Sequence, residues 1–333
     1  MIKLHCLDDF KNNLLNGEKL MHTFICCLLF ALGIALVVKG GDVFVDAASS
    51  IAKALKIPTF IIGATIVSLA TTLPEMIVSV FAAAEGKTEM AIGNAVGSVT
   101  ANTSLILAIA MTAMAIICSR KKFLKQMLLL IAASSVLWLA CLTGALSIRG
   151  SVVLALIFIL FMVQNVISAK SEISSSEESA PVDKKQIIKN VVLFIVGAAA
   201  IVWGSNLMVD NGSEIAKILG VSERIIAVTL VAVGTSLPEL VTTITAIVKK
   251  ESGLSIGNII GANIIDLSLI LPICSLVSGK ELPVSASSIR IDLPVCLLVT
   301  LIALIPMIFR QKASKIQGFI LLAVYAAYIV IVI

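Results

Sequence analysis

About ten stretches of this sequence are apolar for the 20 or so residues that a helix needs to cross a lipid bilayer. They cover residues 22–46, 58–84, 89–118, 124–144, 149–168, 186–212, 223–248, 254–277, 288–308 and 315–333. No other feature narrows the possible folds as much. Inside a bilayer every backbone N–H and C=O must find its partner within the protein, and runs of this length meet that demand only as helices. The expected fold is an all-α integral membrane protein with ten transmembrane helices. The charge content agrees, since 14% of the 333 residues are charged against about 25% in soluble domains. A soluble core of this size would need a polar shell that the chain lacks.

The net charge of +5 does not point to nucleic acid. The basic residues gather in short connections, such as Arg120, Lys121, Lys122 and Lys125, or Arg310, Lys312 and Lys315. With the N-terminus outside, about 16 of the 25 lysines and arginines fall on the cytoplasmic side, as the positive-inside rule requires. This predicts a multi-pass protein of the cell (plasma or inner) membrane with both termini extracytoplasmic. Residues 1–21 form a polar N-terminal tail carrying Asp8, Asp9 and Glu18, unlike the basic start and apolar stretch of a cleaved signal peptide. The seven cysteines have no metal-ligand spacing and read as small packing residues.

The one hydrophilic linker, 169–185, is rich in Ser, Glu and Lys and reads as a cytoplasmic connector. It divides the chain into a first unit of five spans, 22–168, and a second, 186–333. The two repeat each other without a gap. At an offset of 164 residues Thr71-Thr72-Leu73-Pro74-Glu75 meets Thr235-Ser236-Leu237-Pro238-Glu239, Gly93-Asn94 meets Gly257-Asn258, and Asn102 meets Asp266. Five crossings return the chain to the opposite face, so the second unit enters the membrane upside down. Such inverted repeats place binding sites near the midplane, where the halves meet.

Each half carries a carboxylate in the middle of a span, Glu75 and Glu239. An acidic residue at a helix centre costs ~2.5–3.5 kcal/mol on insertion scales. No basic residue is placed mid-span to neutralise either, so a bound cation is the expected partner. Pro74 and Pro238 each lack an amide hydrogen and leave the carbonyls of Ala70 and Gly234 without helical donors. A freed carbonyl cannot face lipid, so helix breaks are expected at Thr71–Pro74 and Thr235–Pro238. Asn94, Ser98 and Asn102 follow at i, i+4 spacing on one helical face, and Asn258 and Asp266 repeat that face with Ala262 between them. Gly93-x-x-x-Gly97 and Gly257-x-x-x-Gly261 permit close helix approach.

Every convergent group offers oxygen. Calcium accepts six to eight oxygen ligands in flexible geometry, whereas zinc or copper would want His or Cys, and the only histidines are His5 and His22. Sodium suits the same oxygens. No histidine lies near a buried serine, so the chain is not expected to be an enzyme, and no cofactor is expected.

These residues resemble the two α-repeats of the sodium/calcium exchanger family, within the calcium/cation antiporters. The stretch from Gly63-Ala64-Thr65 through Glu75 to Asn102 is similar to the first repeat (about 58–118), and Gly234 through Glu239 to Asp266 to the second (about 223–277). The likeness extends to Gly40-Gly41-Asp42 and to a linker too short for a large regulatory domain. The resemblance implies exchange of calcium for sodium by alternating access, with sliding of the first and sixth helices. It implies Glu75 and Glu239 as the main calcium ligands, helped by the carbonyls of Thr71 and Thr235. It implies that Thr72, Ser98, Ser236 and the Ala232 carbonyl line sodium sites, and that Asn102 and Asp266 complete the central cluster. Departures from the family pattern are Ala70 for Gly, Thr72 for Ser, Ser68 for a small apolar residue, and Ala262 for Ser, the last removing one sodium-site oxygen. Glu75, Glu239 and Asp266, all ionised, would exceed a dication by one charge, so a proton or a further monovalent cation belongs beside Asp266. Calcium, sodium and the bilayer are thus the expected partners of a chain working as a monomer. A calcium/proton (or other monovalent cation) exchanger and a cation channel are the alternatives.

Overall fold

The structure is a computed structural model. It describes the backbone of residues 2–113, 120–174, 184–220 and 234–332, and their side chains except at 2–19, 120–122 and 173–174. Eleven helices make up these residues: α1 (Ile2–Ala54), α2 (Thr59–Thr71), α3 (Leu73–Ala84), α4 (Thr88–Ala113), α5 (Arg120–Cys141), α6 (Ile148–Ser174), α7 (Lys184–Ile218), α8 (Leu237–Val248), α9 (Ser252–Ser278), α10 (Ser288–Arg310) and α11 (Lys315–Val332). Eight of them are long and apolar enough to cross a membrane, and α2 with α3, bent by 49° at Thr72, makes a ninth. The short apolar helix α8 follows residues 221–233, which lie outside the described residues together with 114–119, where the expected span 89–118 ends, and 175–183, the middle of the expected linker. The chain is therefore a multi-pass, nearly all-helical membrane protein. Its only strands, among the described residues, are the two-residue β1 (Ala145–Leu146) and β2 (Leu282–Pro283). They pair antiparallel and tie the α5–α6 turn to the α9–α10 connection.

Two boundaries differ from expectation. Helix α1 starts at Ile2, so the polar segment 1–21 continues the first helix; it contains no proline, and its only glycine is Gly17. Helix α6 runs on to Ser174, into the expected linker, because no helix breaker intervenes.

Position within the bundle follows polarity. In α4 and α9, which are rich in glycine, alanine and polar residues, 78% and 83% of the most apolar window is buried, against 17% in α1 and α11. The largest core cluster packs α2, α4, α5, α6, α9 and α10 together. A second, smaller cluster joins α1 to α7. There Gly33 lies against Gly204 and Gly40 against Gly197, close enough that an added Cβ would sit about 3 Å from the opposing backbone. Phe44 stacks on Phe194 with ring centroids 4.5 Å apart. Contacts that climb one helix while descending the other make the pair antiparallel. They are also reciprocal, because Gly33 and Gly197, like Gly40 and Gly204, are repeat equivalents.

Helices α2 and α9 cross more tightly still and run parallel. A Cβ at Gly257 would collide with the Phe60 carbonyl, and one at Gly261 would lie 2.5 Å from the Ala64 carbonyl oxygen and from Ser68 Oγ. Gly257 and Gly261 thus serve the close approach expected of them. Gly93 and Gly97 have no described atom within 4 Å of such a Cβ.

Candidate functional site

The helix breaks fall where the prolines place them. Helix α2 ends at Thr71, Thr72 leaves helical geometry (φ −85°, ψ 1°), and α3 restarts at Leu73 with Pro74 in its first turn. In that turn the missing N–H costs nothing, because first-turn amides have no intrahelical acceptor. The second break repeats the first: Ser236 has φ −86° and ψ 7°, and Pro238 lies in the first turn of α8. Glu75 and Glu239 accordingly sit in first turns, where the helix dipole favours an anion. Both are buried, at 1% and 0% exposure.

The two breaks meet. The Thr72 hydroxyl, from the first, donates to Glu239 Oε1 in the second at 3.2 Å. One residue earlier, the Thr71 hydroxyl donates to Asn258 Oδ1 of α9, also at 3.2 Å. Asn94 of α4 donates through Nδ2 to the Glu75 carbonyl at 3.2 Å and to Ser79 Oγ at 2.9 Å. Asn263 of α9 reaches Thr103 of α4 at 2.8 Å. Glu75, Glu239 and Asp266 are near enough to act on one another's charge.

Many oxygens in this centre have no hydrogen-bond partner: both of Glu75, Oε2 of Glu239, both of Asp266, Oδ1 of Asn102, and the hydroxyl of Ser236. Buried polar atoms in that state are rare and costly. Ion pairs among the described residues join Lys53 to Glu251, Lys87 to Glu85, Lys217 to Glu214, and Lys249 to Asp42 and Asp46, and none of these bases reaches the three buried carboxylates. Lys39, inside α1, is exposed. Among the described residues no three His, Cys, Asp or Glu side chains converge closely enough to chelate a metal by themselves. A cation held here would need hydroxyl, amide and carbonyl oxygens beside the carboxylates.

The remaining expected site residues divide clearly. Ser68, Thr72, Ser98, Asn102 and Ser236 are all buried, and Ala262, between Gly261 and Asn263, is fully so. Thr235 is half-buried beside Pro238. Ala232 lies outside the described residues. Asn102 and Asp266 each open a single π-helical turn, Asn102–Ile106 and Asp266–Ile270. Such turns widen a helix and recur at functional sites. No residue pattern announces them, and sequence reasoning missed them. Nor did it single out Thr103, Ser79, Thr242 or Thr243; the hydroxyls of the last two are buried and unpartnered. Ser79 and Thr243 stand at equivalent places in the two repeats, each four residues after a buried glutamate, and that equivalence was the available clue.

A family profile described as "Sodium/calcium exchanger protein" matches residues 25–166 and 189–333. An uncharacterized membrane protein of Methanocaldococcus jannaschii is 33% identical over 89% of this chain and 94% of its own length. The sodium/calcium exchanger MaX1 of Methanosarcina acetivorans is 29% identical over 91% of this chain and 97% of its own. Among solved structures, the sodium-calcium exchanger NCX_Mj superposes with a TM-score of 0.78 at 30% identity, covering 92% of this chain and 99% of that one.

Proposed function

The chain belongs to the sodium/calcium exchanger family, a family of transporters rather than enzymes, and from that premise we propose that it exchanges calcium for sodium by alternating access at a midplane site. Glu75 and Glu239 hold calcium, with the carbonyls of Thr71 and Thr235. The observation that carries this reading is the Thr72–Glu239 hydrogen bond, which joins the two helix breaks at a pair of buried carboxylates that no base neutralises. Thr72, Ser98, Asn102, Ser236 and the Ala232 carbonyl serve sodium. Ser68 joins them: its hydroxyl lies against α9 at Gly261, beside Ala262, and brings an oxygen where that alanine has none. Calcium balances two carboxylates. The third charge, on Asp266, is then met by a sodium ion or a proton.

Two inverted five-helix repeats, 22–168 and 186–333, form the scaffold of this reading. The antiparallel, reciprocal packing of α1 on α7 supports it, as does the recurrence of α3 and α4 as α8 and α9 with equivalent boundaries. Ten spans then put both termini on one side, the extracytoplasmic side by charge, in the cell membrane. One chain supplies both halves of the site, so the working unit is a monomer.

The test is uptake into proteoliposomes loaded with sodium and diluted into sodium-free medium containing labelled calcium. Uptake should follow the sodium gradient and stop in Glu75→Gln and in Glu239→Gln. Uptake driven by a pH gradient and indifferent to sodium would replace sodium with the proton as counter-ion. Calcium flux that needs no counter-ion would make the protein a channel.

A further inference from the structure

The repeat predicts two equivalent seams, α1 against α8 and α7 against α3, and the structure treats them differently. The α1–α8 seam is shut. At Gly41 the helices approach so closely that a Cβ would lie 2.9 Å from Val241 and Thr245. Lys249 then clamps the end of the seam, 2.7 Å from Asp46 and 3.6 Å from Asp42. In the α3–α7 seam a cavity of about 110 Å³ takes the place of that contact. Ser205, Asn206 and Asp210 of α7 line it, with Pro74 and Val78 of α3 and Thr235 at the second helix break.

The charges are reversed to match. Asp210 is the repeat equivalent of Asp46, but the position equivalent to Lys249 is Glu85. Lys87, at 2.7 Å, holds the Glu85 carboxyl below the ordinary carboxylate range, so the acid keeps its charge. Among the described residues Asp210 makes no ion pair. Deeper in the same cavity wall, Ser205 is 2% exposed and its hydroxyl has no hydrogen-bond partner.

We propose that Ser205, Asn206, Asp210 and Thr235 form a second, outer cation site that receives partly hydrated calcium in the α3–α7 cavity before it passes the helix break to Glu239. The proposal rests on the exchange reading above and adds a station to it. One carboxylate, two neutral side-chain oxygens and one threonine cannot strip calcium of all its six to eight ligands. The ion therefore keeps water here, and the site is weak and quickly exchanging, as a point of passage must be.

Two measurements test it. In transport with the α3–α7 cavity facing the bath, Asp210→Asn should raise the KM for calcium about tenfold, the lower end of what charge-guided capture contributes, with the maximal rate unchanged. Glu214→Gln removes an exposed acid one turn further along α7, already paired with Lys217 at 2.8 Å, and should leave KM unchanged if the effect is local. In the second measurement the central site is silenced by Glu75→Gln with Glu239→Gln, and equilibrium dialysis with labelled calcium should detect residual weak binding that Asp210→Asn and Ser205→Ala each diminish. An unchanged KM in Asp210→Asn, a fall in maximal rate alone, or equal KM shifts in Asp210→Asn and Glu214→Gln would each overturn the proposal. If the wild-type protein moved no calcium, the exchange reading would fail, while the dialysis would still decide whether the outer site exists. Should Asp210→Asn fail to fold, Asp210→Glu, expected to retain a low KM, and Ser205→Ala, expected to raise it, carry the same comparison.

Discussion

Gly261→Ala should separate the two helices that carry half the site, and the structure sets the size of the effect. The new Cβ would fall 2.5 Å from the Ala64 carbonyl oxygen, a backbone atom that cannot rotate away. Ordinary contact begins at 3.4 Å, so α2 and α9 must part by ~0.9 Å, which forfeits a quarter to a half of the dispersion energy at each touching pair. Overpacking of this kind costs about 1–3 kcal/mol. The Thr71–Asn258 hydrogen bond, at 3.2 Å, would stretch beyond bonding distance and lose about 0.5–1.5 kcal/mol more. The variant should therefore unfold on the order of 5 °C earlier in a thermal scan of detergent-purified protein. Its KM for calcium should rise, because Thr71 leaves the site with α2. Gly253→Ala is the matched control, since its Cβ would meet only the tip of Thr59 at 2.9 Å, with backbone no nearer than 3.5 Å. Thr59 can rotate. Equal melting temperatures for Gly261→Ala, Gly253→Ala and the wild type would refute the idea that this crossing fixes the site.

Three further substitutions probe the centre and the closed seam. Thr72→Val keeps the shape but removes the donor to Glu239; hydrogen bonds to charged groups contribute about 1.5–3 kcal/mol, so calcium KM should rise tenfold or more in flux assays, and an unchanged KM would deny the two breaks their coupling. Asn94→Ala frees the Glu75 carbonyl and Ser79 at once, and should lower thermal stability by about 1–2 kcal/mol while transport persists at reduced calcium affinity. Lys249→Gln breaks a clamp whose Asp46 partner is 67% exposed, so its effect is at most about 1 kcal/mol. Turnover should shift by less than fivefold, and the shift should shrink in high salt.

The parts of this protein that sequence reasoning reached are those where lipid makes chemistry expensive. Glu75 and Glu239 stand out because a carboxylate among leucines and valines demands a reason, and Pro74 and Pro238 because a missing amide must end a helix. Both breaks occur where those residues sit. The repeat multiplied this information, turning Asn102 and Asp266 into a related pair before any contact was known. Thr103, Thr242 and Thr243 were invisible for the converse reason. A threonine can satisfy its own hydroxyl on the preceding turn, as Thr100 does on the Val96 carbonyl, so its presence in a span asks no question. The π-helical turns at Asn102 and Asp266 have no residue code. The tight crossing at Gly63, whose Cβ would lie 2.5 Å from the Leu254 carbonyl, arises from a lone glycine outside any spaced motif.

On the alternating-access reading proposed above, two equivalent halves also create an energetic requirement. If both seams closed equally well, the site would be sealed from both sides, and if neither closed, it would leak. The chain meets this by giving the seams different means of closure. In α1–α8 a glycine contact and a bridge from half-buried Lys249 to exposed Asp46 hold the surfaces together. In α3–α7 a cavity lined by Asp210 takes the place of that contact, and closure there must bury a carboxylate that has no basic partner among the described residues. A cation lodged beside Asp210 would lower that cost. The substrate itself would then favour closing the seam through which it arrived, which ties the direction of movement to occupancy. The opposing Lys249 clamp must yield in turn, so it has to be weak. A bridge whose acid stays exposed, worth about a kilocalorie or less, can be broken within each transport cycle, whereas a fully buried ion pair, at about 3–5 kcal/mol to disrupt, would hold the protein in one state.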